Sequence, residues 1–278
     1  MAKLIDGKAV AEKQRGELES KIAALKLAGK TPGLAVVLVG ENEASKVYVG
    51  RKKKMCEQLG MHSEQYNLPA SATMDELLAL IKSLNINDRI HGILVQLPLP
   101  PHIDETAVID AIYPDKDVDA FHPQNVGAIM LGNPRFLPCT PAGIMELIAS
   151  TGTEICGKEC VVVGRSNIVG KPMAMLLLQA DGTVTVCHSR TKNLAEVCRR
   201  ADILVSAVGR AKFITADMVK PGAVVIDVGM NRGDDGKRCG DVDFAAVEPI
   251  AGYITPVPNG VGPMTIMILM KNTVAAAE

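Results

Sequence analysis

Residues 160–172 read CVVVGRSNIVGKP. A β-branched run, 160–163, meets Gly164 and then Ser166, Ile168 and Gly170, before Lys171 and Pro172 open an apolar helical stretch over 170–180. Strand, glycine turn and helix N-terminus in that order offer backbone N–H groups and the positive end of a helix dipole to a pyrophosphate. The spacing is G-x-S-x-x-V-G rather than G-x-G-x-x-G, so alone it is a weak signal, and a tight βα turn without a ligand is the plain alternative. A second run, 183–187, ends in His188, Ser189, Arg190 and Thr191. An acid usually sits there to hold the ribose 2′-OH of NAD. Two guanidinium groups, Arg165 and Arg190, with hydroxyls in its place favour a 2′-phosphate, hence NADP.

Outward from this unit, short aliphatic runs alternate with helical patterns. Strands are predicted at 34–39, 64–68, 91–97, 202–206, 223–228 and 250–254, and helices at 8–28, 42–59, 74–84, 141–151, 193–200 and 263–276. Continuous Val/Ile/Leu runs suit strands covered on both faces, which predicts an α/β protein with parallel sheets. Thr73 with Glu76 makes a capping box, and Thr140 before Pro141 reads as an N-cap with proline at the first helical position. The pattern weakens over 113–137 and again at 255–263, TPVPNGVGP. These breaks predict a discontinuous domain, 1–137 plus 256–278, around a second domain at 138–255.

Composition narrows the function. The 278 residues are 47% hydrophobic and 22% charged, as in ordinary globular proteins. Only 3% are aromatic and the net charge is −1, so neither stacking platforms nor a basic face point to nucleic acid or a membrane surface. The seven cysteines are scattered without a CxxC, and most lie in apolar runs, which reads as reduced thiols in a cytoplasmic protein. The longest apolar run near the C-terminus, Ile266 to Met270, is far too short to span a bilayer.

In the first domain, helix 42–59 aligns Tyr48, Lys52, Met55 or Cys56, and Leu59 on one face. A lysine in an apolar stripe either snorkels, the commoner outcome, or loses basicity by burial and becomes able to carry protons. Gln96 ends strand 91–97 just before Pro98, at the carboxyl end where α/β sheets bind ligands, and is placed to orient Lys52. Asp117, Asp119 and His122 form an acidic loop. Without paired histidines or repeated carboxylates a metal is not expected there, and one carboxylate accepting two N–H bonds from a heterocycle is an equally physical role.

Together these segments resemble the bifunctional methylenetetrahydrofolate dehydrogenase/cyclohydrolase family: Tyr48-x-x-x-Lys52, VQLPLP at 95–100, DKDVDAFHPQNVG at 115–127, PCTPAG at 138–143, GRSNIVGKP at 164–172, HSRT at 188–191, DVGMN at 227–231 and PNGVGPMT at 258–265. The resemblance implies a folate-binding catalytic domain and a Rossmann-like NADP domain, usually in a cytoplasmic homodimer that serves one-carbon metabolism and purine biosynthesis. It implies Lys52 as the catalytic lysine, Tyr48 and Gln96 beside it, and Asp119, Gly262 and Pro263 on the folate. It also implies Gly164, Arg165, Ser166, Ile168, Ser189 and Arg190 on NADP. Asn259 and Ala120 stand where the family pattern has glycine, and asparagine tolerates a positive φ better than most residues. Rival readings are another NADP-dependent small-substrate dehydrogenase, which leaves Asp119 and the Tyr48/Lys52 pair unexplained, and a non-catalytic nucleotide sensor.

Overall fold

The computed structural model describes residues 1–233 and 236–278. The chain runs β1 (Lys3–Leu4), α1 (Gly7–Leu27), β2 (Gly33–Val39), α2 (Glu43–Leu59), β3 (His62–Leu68), α3 (Met74–Asn85), β4 (Gly92–Val95), α4 (Glu105–Ala111) and α5 (Pro123–Met130). It continues through α6 (Cys139–Ser150), β5 (Glu159–Val163), α7 (Gly170–Gln179), β6 (Thr183–Cys187), α8 (Leu194–Arg199), β7 (Ile203–Ser206) and β8 (Val224–Asp227). Last come β9 (Asn231–Arg232), β10 (Arg238–Cys239), α9 (Phe244–Val247), β11 (Tyr253–Ile254) and α10 (Val261–Ala277).

Two compact units result: residues 14–139 with 266–278, and residues 1–13 with 140–265. In the first, a parallel three-stranded sheet has the order β3-β2-β4. The central strand, GLAVVLV, is buried at every position, as a β-branched run covered on both faces should be. Helix α2 starts where the Asn42 side chain accepts the Ser45 N–H at 3.0 Å and stops at Gly60 with φ 67°, a left-handed cap that glycine adopts without strain. The capping box on α3 is present, Thr73 and Glu76 exchanging bonds of 3.2 and 2.8 Å.

In the second unit six parallel strands take the order β1-β11-β8-β7-β5-β6. The chain leaves β5 for β6 on one side and then crosses to β7 on the other. The carboxyl ends of β5 and β7 are therefore the switch point at which such sheets bind ligands.

The division differs from the expected one, 1–137 plus 256–278 against 138–255. Residues 1–13 group with the six-stranded sheet because β1 extends it beside β11, and the Gly7 α-carbon packs so closely on the Gly260 carbonyl that no side chain fits between. Helix α6 begins at Cys139, so Thr140 is not its N-cap; it lies in the first turn and its hydroxyl meets that of Thr265 at 3.0 Å. The stretch 113–137, read as patternless, contains α5, started by His122 and Pro123, and α4 also escaped the periodicity. All seven cysteines are free, with Cys56, Cys139, Cys160, Cys187 and Cys198 buried. Among the described residues no helix is long and apolar enough to cross a membrane.

Candidate active site

Lys52 does not snorkel. Helix α2 buries Ser45, Val49, Lys52, Cys56 and Leu59 on one stripe, and Lys52 is only 6% exposed. Its Nζ donates to Gln96 Oε1 at 2.9 Å, while Gln96 Nε2 donates to the Leu97 carbonyl at 2.8 Å and so turns the amide oxygen toward the lysine. Gln96 is itself placed by its backbone N–H, which continues the ladder onto Val37 O at 2.8 Å beyond the end of β4. Burial lowers the Lys52 pKa, opposed chiefly by attraction from Asp119. An amine made less basic by desolvation can exchange a proton nearer neutral pH. Tyr48 is half-buried one turn before Lys52.

The two loop acids have separate tasks. Asp117, buried, accepts the His122 N–H and the Asn125 Nδ2 at 2.8 Å each, and so holds its own loop to the start of α5. Asp119 faces the lysine instead. Burial raises its pKa against the pull of Lys52 and a hydrogen bond from the Cys139 thiol. It also borders a shallow, mostly apolar crevice with Leu97, Ile109, Ile112 and Phe121. Between the two acids and His122, Ala120 stands at φ 58°. Among the described residues no group of three His, Cys, Asp or Glu side chains is placed to hold a metal ion.

The sequence reading missed two residues here. Cys139 is 2% exposed, and burial first, then Asp119, holds its thiol well above the usual range; it stays protonated and donates. Asn272, a polar residue inside the apolar run of α10, donates to the carbonyls of Val118 at 2.8 Å and Leu137 at 2.9 Å. It thereby clamps the segment carrying Asp119. An asparagine amid IMILMKNTV was the visible signal.

In the other unit, Gly164 follows β5 at φ 129°, where its N–H bonds Cys187 O at 2.9 Å. A Cβ on it would strike the Ala207 carbonyl, and one on Gly170 would strike the Gly164 carbonyl, so turn and helix close on each other only because both are glycine. The Ser166 hydroxyl accepts the N–H groups of Val169 at 3.2 Å and Gly170 at 3.3 Å. Val163 pairs with Cys187, which sets Arg165 and Arg190 just beyond the ends of neighbouring strands. Both are exposed, as are Ser166 and Ser189, while Ile168 is half-buried. Arg190 N–H bonds His188 Nδ1 at 3.1 Å. Gly262 and Pro263 lie in the first turn of α10, within this unit, and Asn259 just before them has φ 79°. The structure thus gathers Lys52, Gln96 and Asp119 in one unit and the proposed nucleotide residues in the other.

A glycine turn at a sheet switch point and a buried, amide-bonded lysine define a class: two-unit α/β enzymes that bind a dinucleotide and move protons. Residues 138–278 match the family model described as tetrahydrofolate dehydrogenase/cyclohydrolase, NAD(P)-binding domain, and residues 5–119 match its catalytic domain. The chain belongs to the tetrahydrofolate dehydrogenase/cyclohydrolase family. A bifunctional protein FolD from Acetivibrio thermocellus is 61% identical over 277 residues, covering 100% of this chain and 97% of that protein. The crystal structure of the FolD methylenetetrahydrofolate dehydrogenase/cyclohydrolase from Campylobacter jejuni superposes with a TM-score of 0.97 at 50% identity, covering 100% of this chain and 99% of that one. The Trypanosoma brucei enzyme, solved with NADP and an inhibitor, gives 0.94 at 42% identity, covering 99% and 97%.

Proposed function

We propose that the chain performs two reactions on the residues described above: NADP-dependent oxidation of 5,10-methylenetetrahydrofolate to the 5,10-methenyl form, and hydrolysis of that form to 10-formyltetrahydrofolate. The observation that carries this reading is the buried Lys52, bonded to Gln96 and facing Asp119. The folate chemistry belongs to the unit holding Lys52, and NADP to the unit holding Gly164.

The nucleotide unit fits NADP. Its two close-packed glycines shape a turn for a pyrophosphate, and Arg165 and Arg190 flank the place of a 2′-phosphate. When bound, the nucleotide supplies the acceptor for the hydride that leaves the one-carbon bridge. For that step the residues of the Lys52 unit hold and orient: Asp119 accepts N–H bonds from the pterin, and Tyr48 packs on the folate. In hydrolysis, water adds to the carbon between the two folate nitrogens and gives up a proton. The added hydroxyl then gives up its remaining proton to solvent and becomes the formyl oxygen as the carbon–N5 bond breaks; the pair of that bond goes to N5, which takes up a proton, and 10-formyltetrahydrofolate remains. Lys52 takes the proton from the incoming water and returns one as the ring opens, and Gln96 holds its Nζ in place.

The same reading makes the chain a cytoplasmic homodimer whose product feeds purine biosynthesis. Its seven free thiols support a reducing compartment, and sedimentation tests the dimer. The function itself is tested by assaying both half-reactions on purified protein, with Arg190→Ala beside the wild type. Loss of one charge-assisted phosphate contact, about 1.5–3 kcal/mol, should raise the KM for NADP much more than that for NAD. Equal effects on the two nucleotides, or no turnover of methylenetetrahydrofolate, would overturn the reading.

A further inference from the structure

Strand β7 ends at Ser206, and the chain then presents three successive N–H groups to one point. Val208 and Gly209 donate to Asp241 Oδ2 at 2.7 and 3.2 Å, and Arg210 donates to Asp241 Oδ1 at 3.0 Å. Successive amides that converge in this way form a nest of the kind that holds phosphates and other anions. Here the chain's own carboxylate fills it. The same carboxylate accepts Ser206 Oγ at 3.3 Å and Asn231 Nδ2 at 2.9 Å, and Asp241 is 0% exposed. A second buried acid holds it from behind: Asp227 accepts the N–H groups of Asp241 at 2.8 Å, Val242 at 2.9 Å and Gly229 at 2.9 Å. A Cβ on Gly229 would strike the Asp241 carboxylate, and one on Gly240 would strike that of Asp227.

Two acids buried side by side and held by N–H and O–H donors are a costly way to shape a turn, since a buried charge must have every acceptor filled. The position explains the arrangement. The nest lies at the carboxyl end of β7, one side of the switch point, and Ala207, the residue before it, presents the carbonyl that the Gly164 α-carbon touches. We propose that Asp241 is a positioning residue for NADP: by occupying the nest it presets residues 207–210 against the Gly164 turn, so that the nucleotide meets a finished surface. This rests on the assignment of NADP to the Gly164 turn.

Asp241→Asn keeps the side-chain shape but turns one acceptor oxygen into a donor, and whichever way the amide faces, at least two donors lose their partner. The KM for NADP should rise by about tenfold or more with a smaller fall in kcat, while methenyltetrahydrofolate hydrolysis, which uses no nucleotide, falls less than about twofold. An unchanged KM for NADP, or a parallel loss of both activities in step with the folded fraction, would overturn the proposal. Hydrogen exchange of the 208–210 amides in wild-type protein decides the matter should the variant not fold. Protection before NADP is added supports a preset nest, and fast exchange that slows only with NADP overturns it. Arg190→Ala separates the two failures: if it raises the KM for NADP and Asp241→Asn does not, only Asp241 loses its role, whereas if neither does, the nucleotide assignment itself fails.

Discussion

Lys52 and Gln96, 44 residues apart in the chain, meet through a 2.9 Å bond from Nζ to Oε1. The partner is a neutral amide, not a carboxylate, and the distinction matters. An acid at that distance would hold the lysine protonated, whereas an amide orients it and leaves its basicity to be lowered by burial.

Lys52→Met deletes the amine and keeps helix propensity and most of the aliphatic volume. Hydrolysis of methenyltetrahydrofolate should fall by at least about a hundredfold, as is usual for loss of an acid/base group, while part of the dehydrogenase activity persists. The methenyl product then accumulates and is read by its absorbance. The variant should also melt at a higher temperature, because a lysine whose pKa is lowered in the fold costs stability wherever the unfolded chain carries the proton. Undiminished hydrolysis would remove Lys52 from the mechanism.

Gln96→Glu places a negative charge where the amide oxygen accepts from Nζ. The Lys52 pKa then rises, so the neutral amine is scarcer at neutral pH. Cyclohydrolase activity should drop by about tenfold there and recover toward alkaline pH, its profile displaced upward relative to wild type. A uniform loss across pH would mean that Gln96 acts through shape alone.

Asn259 occupies the left-handed region at φ 79° on the surface. Asparagine tolerates that region, glycine takes it freely, and alanine pays about 1 kcal/mol. Urea unfolding should therefore rank Asn259→Gly at or slightly above wild type and Asn259→Ala about 1 kcal/mol below it. Equal stability of the three would show that the turn relaxes to another conformation.

Asp227 supplies a pH signature. Burial raises its pKa to about 6 from an ordinary 3.8, against three N–H donors that favour the charged form, with Asp241 adding repulsion. Below pH 4 both folded and unfolded chains are protonated. Between 4 and 6 the unfolded chain loses its proton first, so stability falls as pH rises, by roughly 3 kcal/mol for a shift of this size. The stability difference between wild type and Asp227→Asn should shrink across that window in chemical denaturation. A difference that instead grows with pH would show that the N–H donors outweigh burial.

Local chemistry made much of this legible. Gly164 and Gly170 around Ser166 announced a βα turn because only such spacing joins a strand to a helix so tightly, and the helical period put Lys52 on the inner stripe of α2. The parallel architecture followed from aliphatic runs that must be covered on both faces. Helix α5 was hidden because its start depends on Asp117, five residues before His122, accepting that residue's backbone N–H, a bond no periodicity records.

The sequence by itself thus determined the α/β class and the glycine turn after β5, and it singled out Arg165, Arg190, Lys52, Gln96 and Asp119 as candidate site residues. Tertiary structure alone decided that Lys52 is buried rather than snorkelling, that Cys139 and Asn272 hold the Asp119 segment, and that Asp241 fills the nest after β7. Strand and turn signals come from interactions a few residues apart and are written in local spacing. Desolvation and hydrogen bonds between distant segments depend on which surfaces the fold brings together, and those exist only once the chain has packed.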